Sequence, residues 1–138
     1  MAAPATELQE AILAALGADP ALTAALGGPR IYAEPPKNVT FPYMSFGRTS
    51  VYDWSTGAEK DDEQLFTLHV WSKAKGDAET LQIMESARAR LADNLLALPG
   101  RDPVRLSLEF HEARYDDDLA VHHGLLRFRA RAEPAAAS

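Results

Sequence analysis

Between residues 104 and 132 the chain alternates apolar and polar side chains twice, and the two alternations fit each other at one register. Val104, Leu106, Leu108 and Phe110 alternate with Arg105, Ser107, Glu109 and His111, the period-two signature of a strand with one buried face. A second strand is predicted over about residues 121–132. With the turn centred on Asp118, Phe110 falls opposite Leu126, Leu108 opposite Phe128 and Leu106 opposite Ala130, while Glu109 meets Arg127. Slipping the pairing by one residue would turn every apolar side chain to the wrong face. This hairpin commits the chain to a sheet that covers a core.

An earlier hairpin follows the same rule. Met44 and Phe46, with Tyr52 and Trp54, share one parity, and Tyr43, Ser45, Gly47, Thr49 and Val51 share the other. Over about residues 64–72, Phe66, Leu68 and Val70 face one way and Leu65, Thr67, His69 and Trp71 the other. Arg30–Tyr32 reads as an optional short edge strand. Thr6 and Gln9 form a capping pattern before a helix with Leu8, Ile12, Leu13 and Leu16 on its stripe, stopped at Gly17. Asp19-Pro20 starts a shorter helix, ended by Gly27-Gly28. A third helix follows Gly76-Asp77, with Leu81, Met84, Ala87, Leu91 and Leu95 as its apolar stripe and Pro99-Gly100 as its stop. The order α-α-(β)-β-β-α-β-β predicts an α+β two-layer sandwich. Its mainly antiparallel four-stranded sheet, with the short edge strand as a fifth, is packed by helices on one face. The 138 residues suit a single domain, and the Pro/Ala-rich end, 133–138, is expected to fray.

Composition removes several classes of function. The absence of cysteine excludes disulfides, thiolate metal sites and a cysteine nucleophile. Fourteen Lys and Arg against twenty Asp and Glu give a net charge of −6, which argues against tight wrapping of nucleic acid. The N-terminus lacks a basic start and an apolar run, and no stretch approaches the roughly 20 apolar residues of a membrane span. A soluble, unprocessed chain is expected.

Motifs for chemistry are sparse. His122 and His123 are adjacent on a strand and point to opposite faces, so the two do not serve one metal. His69 and His111 could approach one of them only across neighbouring strands; a solvated sheet face is the simpler reading. Asp116, Asp117 and Asp118 lack the glycine and terminal glutamate of a calcium loop and suit a turn. Nucleophile-elbow and phosphate-loop patterns are missing. No catalytic, metal or cofactor residues are predicted.

What remains are surfaces. The polar segment from Asp53 to Glu63, with Tyr52 and Trp54 at its mouth, is too long for a tight turn. Tyr52, Asp53, Trp54, Glu59, Lys60, Asp61 and Asp62 are candidates for contact with a partner or a neighbouring subunit. Trp71, on the sheet face opposite Phe66, Leu68 and Val70, joins them because Trp and Tyr are enriched at protein interfaces. Arg127, Arg129 and Arg131 share one strand face.

The order of several segments resembles a known family. Ile31-Tyr32 precedes a Pro-rich turn, Phe41-Pro42-Tyr43-Met44-Ser45-Phe46-Gly47 and then Leu68-His69-Val70-Trp71-Ser72. A Gly76-initiated helix follows, and His123-Gly124-Leu125-Leu126-Arg127-Phe128-Arg129-Ala130-Arg131 closes the series. Over roughly residues 6–132 this resembles the tail-completion, or tail-terminator, proteins of long-tailed phages and gene transfer agents. The resemblance implies a non-enzymatic, homo-oligomeric ring, typically of six subunits, at the head–tail junction of a particle made in the bacterial cytoplasm. Such a ring caps the tail tube protein and joins it to the head-side connector, and DNA passes through without specific binding. It also implies heterologous subunit contacts, for which Arg127, Arg129 and Arg131 against Asp116, Asp117 and Asp118 are the candidates. Two alternatives stay open: a stopper or adaptor at the same junction, and a small ligand-binding or hydrolytic module using His69, His111 and His123.

Overall fold

The computed structural model describes residues 5–53, 62–98 and 102–132, with backbone alone for residues 5–6, 48–53 and 62–63. Its elements are α1 (Ala5–Gly17), α2 (Pro20–Leu26), β1 (Ile31–Tyr32), β2 (Tyr43–Asp53), β3 (Asp62–Ser72), α3 (Ala78–Leu91), β4 (Leu95–Leu96), β5 (Val104–Asp116) and β6 (Val121–Ala132). The expected α+β class holds. The sheet, however, has six strands in the order β1-β2-β3-β6-β5-β4. The four long strands are antiparallel neighbours, whereas β1 runs parallel to β2.

The helices obey local chemistry. Asp19 Oδ1 accepts from the Leu22 amide at 3.1 Å, with Pro20 at the first turn of α2. Gly27, at φ 81°, ends that helix, its amide donating to the Ala24 carbonyl and the Gly28 amide to that of Thr23. Arg30 then donates from one Nη to the Leu26 and Phe41 carbonyls at 3.0 and 3.2 Å, tying α2 to the chain entering β2. The capping side chain expected at Thr6 lies outside the described residues.

The third helix is shorter than its apolar repeat suggested. Asp93 takes φ 61°, and the Asn94 side chain donates to the Ala89 and Arg90 carbonyls, closing α3 at Leu91. The Asp93 amide donates to the Leu106 carbonyl, and Leu95–Leu96 becomes β4 beside β5. Leu95, expected on the helix stripe, is instead 50% exposed on an edge strand. The buried stripe of α3 is Thr80, Ile83, Met84, Ala87 and Leu91, while Leu81, also expected in the core, is 47% exposed.

Both long hairpins carry a bulge. Leu106 pairs with Ala130 and Leu108 with Phe128, as the alternation predicts. The register then shifts, so that Phe110 pairs with Arg127 rather than Leu126. The cause is the turn. Asp116 pairs with Val121, which centres the hairpin between Asp118 and Leu119, and the extra residue is absorbed at Glu109. Beyond the bulge the parity reverses: Phe110 becomes exposed, and His111 lines a groove with Leu81 and Met84 of α3. A similar shift between Phe46 and Thr49 in β2 pairs Tyr52 with Glu63, which reverses the parity expected for Tyr52 relative to Met44.

The core is one cluster between the three helices and one face of the sheet. Leu8, Ile12, Leu22 and Ile83 meet Met44, Leu68, Leu106 and Phe128 there, each almost fully buried. Phe66 and Phe128 stack across β3 and β6 with centroids 5.3 Å apart. Gly124 lets α3 lie close to β6: a Cβ added there would stand 2.6 Å from Met84 Sδ and 2.9 Å from Thr80 Cγ2. At the start of α3, the buried Ser72 hydroxyl donates to Glu79 Oε1 at 2.6 Å.

Candidate interaction surface

The sheet face turned away from the helices carries a run of rings. The register sets Tyr43 opposite Trp71 and Trp71 opposite His123, so β2, β3 and β6 each contribute one ring to the same row. Tyr43 stacks on Trp71 with centroids 6.3 Å apart, and Trp71 on His123 at 4.1 Å with planes 3° apart. His69 packs against both Trp71 and His123, its Nδ1 2.7 Å from His123 Nε2. Trp71 Nε1 donates to Ser45 Oγ at 3.1 Å. Tyr32 and Phe41 flank Tyr43, and Lys73 Nζ stands 4.4 Å over the Phe41 ring. Trp71 is thus half-buried by neighbouring rings, with its indole N–H satisfied, on a face that no helix covers.

Two features hold this platform. Gly47 is one: a Cβ there would sit 2.3 Å from His69 Nε2, so a larger residue would have to shift the imidazole or β2 itself. Burial is the other. It holds the His69 and His123 imidazolium pKa values below the usual range and pushes the Tyr43 phenol up. For His123, the His69 and Arg114 charges add to burial, and Asp116 and Glu112 oppose it.

The structure separates residues that the sequence grouped together. Trp71 and the Tyr52–Asp53 stretch lie at opposite ends of β2–β3, since Trp71 pairs with Tyr43 while Asp53 pairs with Asp62. Trp54, Glu59, Lys60 and Asp61 lie outside the described residues, as does the 133–138 tail, and only backbone is described for Tyr52, Asp53 and Asp62. Arg129 pairs with Glu109 at 2.6 Å, where Arg127 had been expected to meet that carboxylate. Arg127 instead lies over the Phe110 ring at 5.6 Å. The bulge at Glu109 causes both changes. In the β5–β6 turn, Asp116 Oδ1 accepts from the Leu119 amide, while Asp117 and Asp118 are exposed.

His122 meets Tyr115 edge-on while His123 meets Trp71, as opposite faces require. His111 lines the α3 groove, so His69, His111 and His123 are not brought together. Among the described residues no three His, Asp or Glu side chains converge as a metal would need. Tyr32, Tyr43, Ser45 and Gly47 belong to the platform but were absent from the sequence-based candidates. The available signal was Gly47, a glycine inside a strand, which marks close approach of a neighbour.

No described helix is long and apolar enough to cross a membrane. The sequence matches the family described as Tail completion protein gp17 over residues 10–133. No curated protein matches it. Among solved structures, the chain is similar to a protein in the virion of a native gene transfer agent particle. That match has 28% identity and a TM-score of 0.83, covering 97% of this chain and 100% of the other. A second solved structure, 16% identical, has a TM-score of 0.57 over 94% of this chain and 98% of its own, and shares the fold alone. These matches place the chain among structural proteins of phage-type tails. It belongs to the tail-completion protein family.

Proposed function

We propose that the chain is a non-enzymatic subunit of a ring, of six copies, that terminates the tail tube inside a virion or virus-like particle and joins it to the head-side connector. The observation that carries this reading is the likeness, over nearly the whole of both chains, to a protein of a gene transfer agent virion. The fold suits the role, because one sheet face is sealed by helices and the other presents half-buried rings and arginines to a partner. Stable contact surfaces of this kind rest on a few aromatic and arginine anchors.

The segment from Tyr52 to Asp62, with Trp54, Glu59, Lys60 and Asp61, reaches the tube or a neighbouring subunit, and Trp71 anchors a separate contact at the other end of β3. Arg127, Arg129 and Arg131 and the Asp116–Asp118 turn contribute to contacts between subunits. DNA crosses the ring without specific binding. Six copies at −6 each carry −36, and a wall of like charge gives a duplex no counterion release to gain.

The test is elongation of purified tube protein with and without the chain. Tubes of uniform length, each bearing several copies of the chain at one end only, are expected. Binding along the tube wall, or no binding to tubes, would reject the reading.

A further inference from the structure

Among the described residues, Leu119 and Leu95 are large apolar side chains that stand exposed at opposite ends of the β5–β6 pair. Tyr115 and Leu119 lie toward the turn, Phe110 is exposed at the middle of β5, and Leu81 of α3 lines the groove that holds His111. Leu119, 60% exposed, projects from the four-residue turn that Asp116 begins. Leu95 lies at the other end, where β4 joins β5. Ten residues of β5 separate Leu106 from Asp116, about 33 Å at the rise of a strand.

The Leu95 end holds a hollow. Leu91, Leu95, Leu96 and Leu106 line a cavity of about 430 Å³ between the end of α3, the α1–α2 corner and β4. Its lining is mixed: Leu95 and Leu96 offer the apolar surface beside Arg90, Asp19 and Asn94, whereas Leu91 and Leu106 are almost fully buried. Arg90 stands at the wall, exposed, with Nε donating to the Ala15 carbonyl at 3.0 Å and no carboxylate paired with its terminal amino groups among the described residues. Asp19 also lines the cavity, but its carboxylate caps α2. The last carbonyls of α3 are met by the Asn94 side chain, which blunts the negative end of that helix.

An exposed leucine at one end thus meets a hollow of opposite charge at the other, with Asp117 and Asp118 flanking Leu119 and Arg90 beside the hollow. We propose that the β5–β6 turn of one copy seats Leu119 in the Leu91–Leu106 cavity of the next copy, with Asp117 or Asp118 meeting Arg90. Because the two surfaces differ and lie far apart, each copy keeps one of each after pairing, which makes the contact heterologous and lets it close into a ring. This contact rests on the ring reading above and names the partner of the acidic turn: the cavity, with Arg90, in place of the Arg127, Arg129 and Arg131 stripe.

The chain has no cysteine, so engineered thiols report the contact without background. Leu119→Cys and Leu95→Cys copies, each still folded by circular dichroism, are mixed and treated with a short bismaleimide. Cross-linked pairs are expected from the mixture and not from either variant alone. The double variant should give a ladder ending at the ring's copy number. A Leu119→Cys variant that links to itself, or a wild-type ring by native mass with no link in the mixture, overturns this contact and leaves the ring standing. A wild-type chain that forms no multi-copy species, alone or on tubes, defeats the ring reading and this contact with it. As a second readout, Arg90→Glu should raise the concentration needed for assembly by about tenfold or more, and Asp117→Arg with Asp118→Arg should restore most of it. Assembly unchanged by Arg90→Glu would also count against the contact.

Discussion

His69 Nδ1 and His123 Nε2 lie 2.7 Å apart, a separation at which one nitrogen donates and the other must be bare. A doubly protonated pair would set two N–H groups head to head. Trp71, stacked on both rings, and Gly47, which leaves room for His69, hold them in that contact.

Stability should therefore fall in mild acid. Both imidazoles have folded pKa values below the usual 6.5, through burial first. The unfolded chain then binds more protons in that range, so their contribution is complete above about pH 6.5 and is lost as pH falls through the lower folded values. Urea midpoints measured between pH 8 and pH 5 should decline more steeply for the wild type than for a His69→Gln/His123→Gln variant. Parallel declines would show that the pair does not titrate with folding.

Gly47→Ala should disrupt the same contact by steric means. The added methyl, 2.3 Å from His69 Nε2, forces the imidazole off Trp71 or moves β2, at a cost of about 1–3 kcal/mol. Chemical denaturation should show that loss together with a flattened acid response. A variant as stable as the parent would mean that His69 moves aside freely.

How far the sequence foretold this arrangement varies by element. The inner half of the β5–β6 hairpin was legible because Leu106, Leu108, Phe128 and Ala130 alternate against charged neighbours. The bulge at Glu109 was not, since its cause is the geometry of the Asp116–Val121 turn and a polar residue fits either register. The end of α3 was missed because Asp93 and Asn94 stop the helix by backbone conformation and side-chain capping, without the glycine or proline that usually signals it. Trp71 could be placed on the open face by parity alone. Its stacking on His123 could not, because that needs β3 and β6 to be neighbours although more than fifty residues separate the rings. Sheet order is a tertiary choice.

The arginine stripe should matter to assembly more than to folding. The Arg129–Glu109 pair is partly exposed, so Arg129→Glu should change the stability of the isolated chain by about 1 kcal/mol or less. Light scattering of the assembled species should show a loss that is larger at low salt than at high, because mobile ions screen exposed charges. A loss independent of salt would point to packing instead.

Deleting residues 55–61 leaves Asp53, Trp54 and Asp62 as a three-residue turn and should keep the sheet and core intact, with β2 and β3 paired from Tyr52–Glu63 inward. Tube binding should fall at least tenfold, measured by co-sedimentation, with thermal unfolding little changed. Full binding by a folded deletion variant would remove this segment from the contact.

The most direct measurement is an electron-microscopic view along the axis of tubes capped by the purified chain. A closed rotationally symmetric ring of this chain at the tube end, with an opening wide enough for a DNA duplex and the helix layer and aromatic sheet face both resolved, is the predicted image. Single copies scattered on the tube, or a solid plug with no opening, would contradict the account.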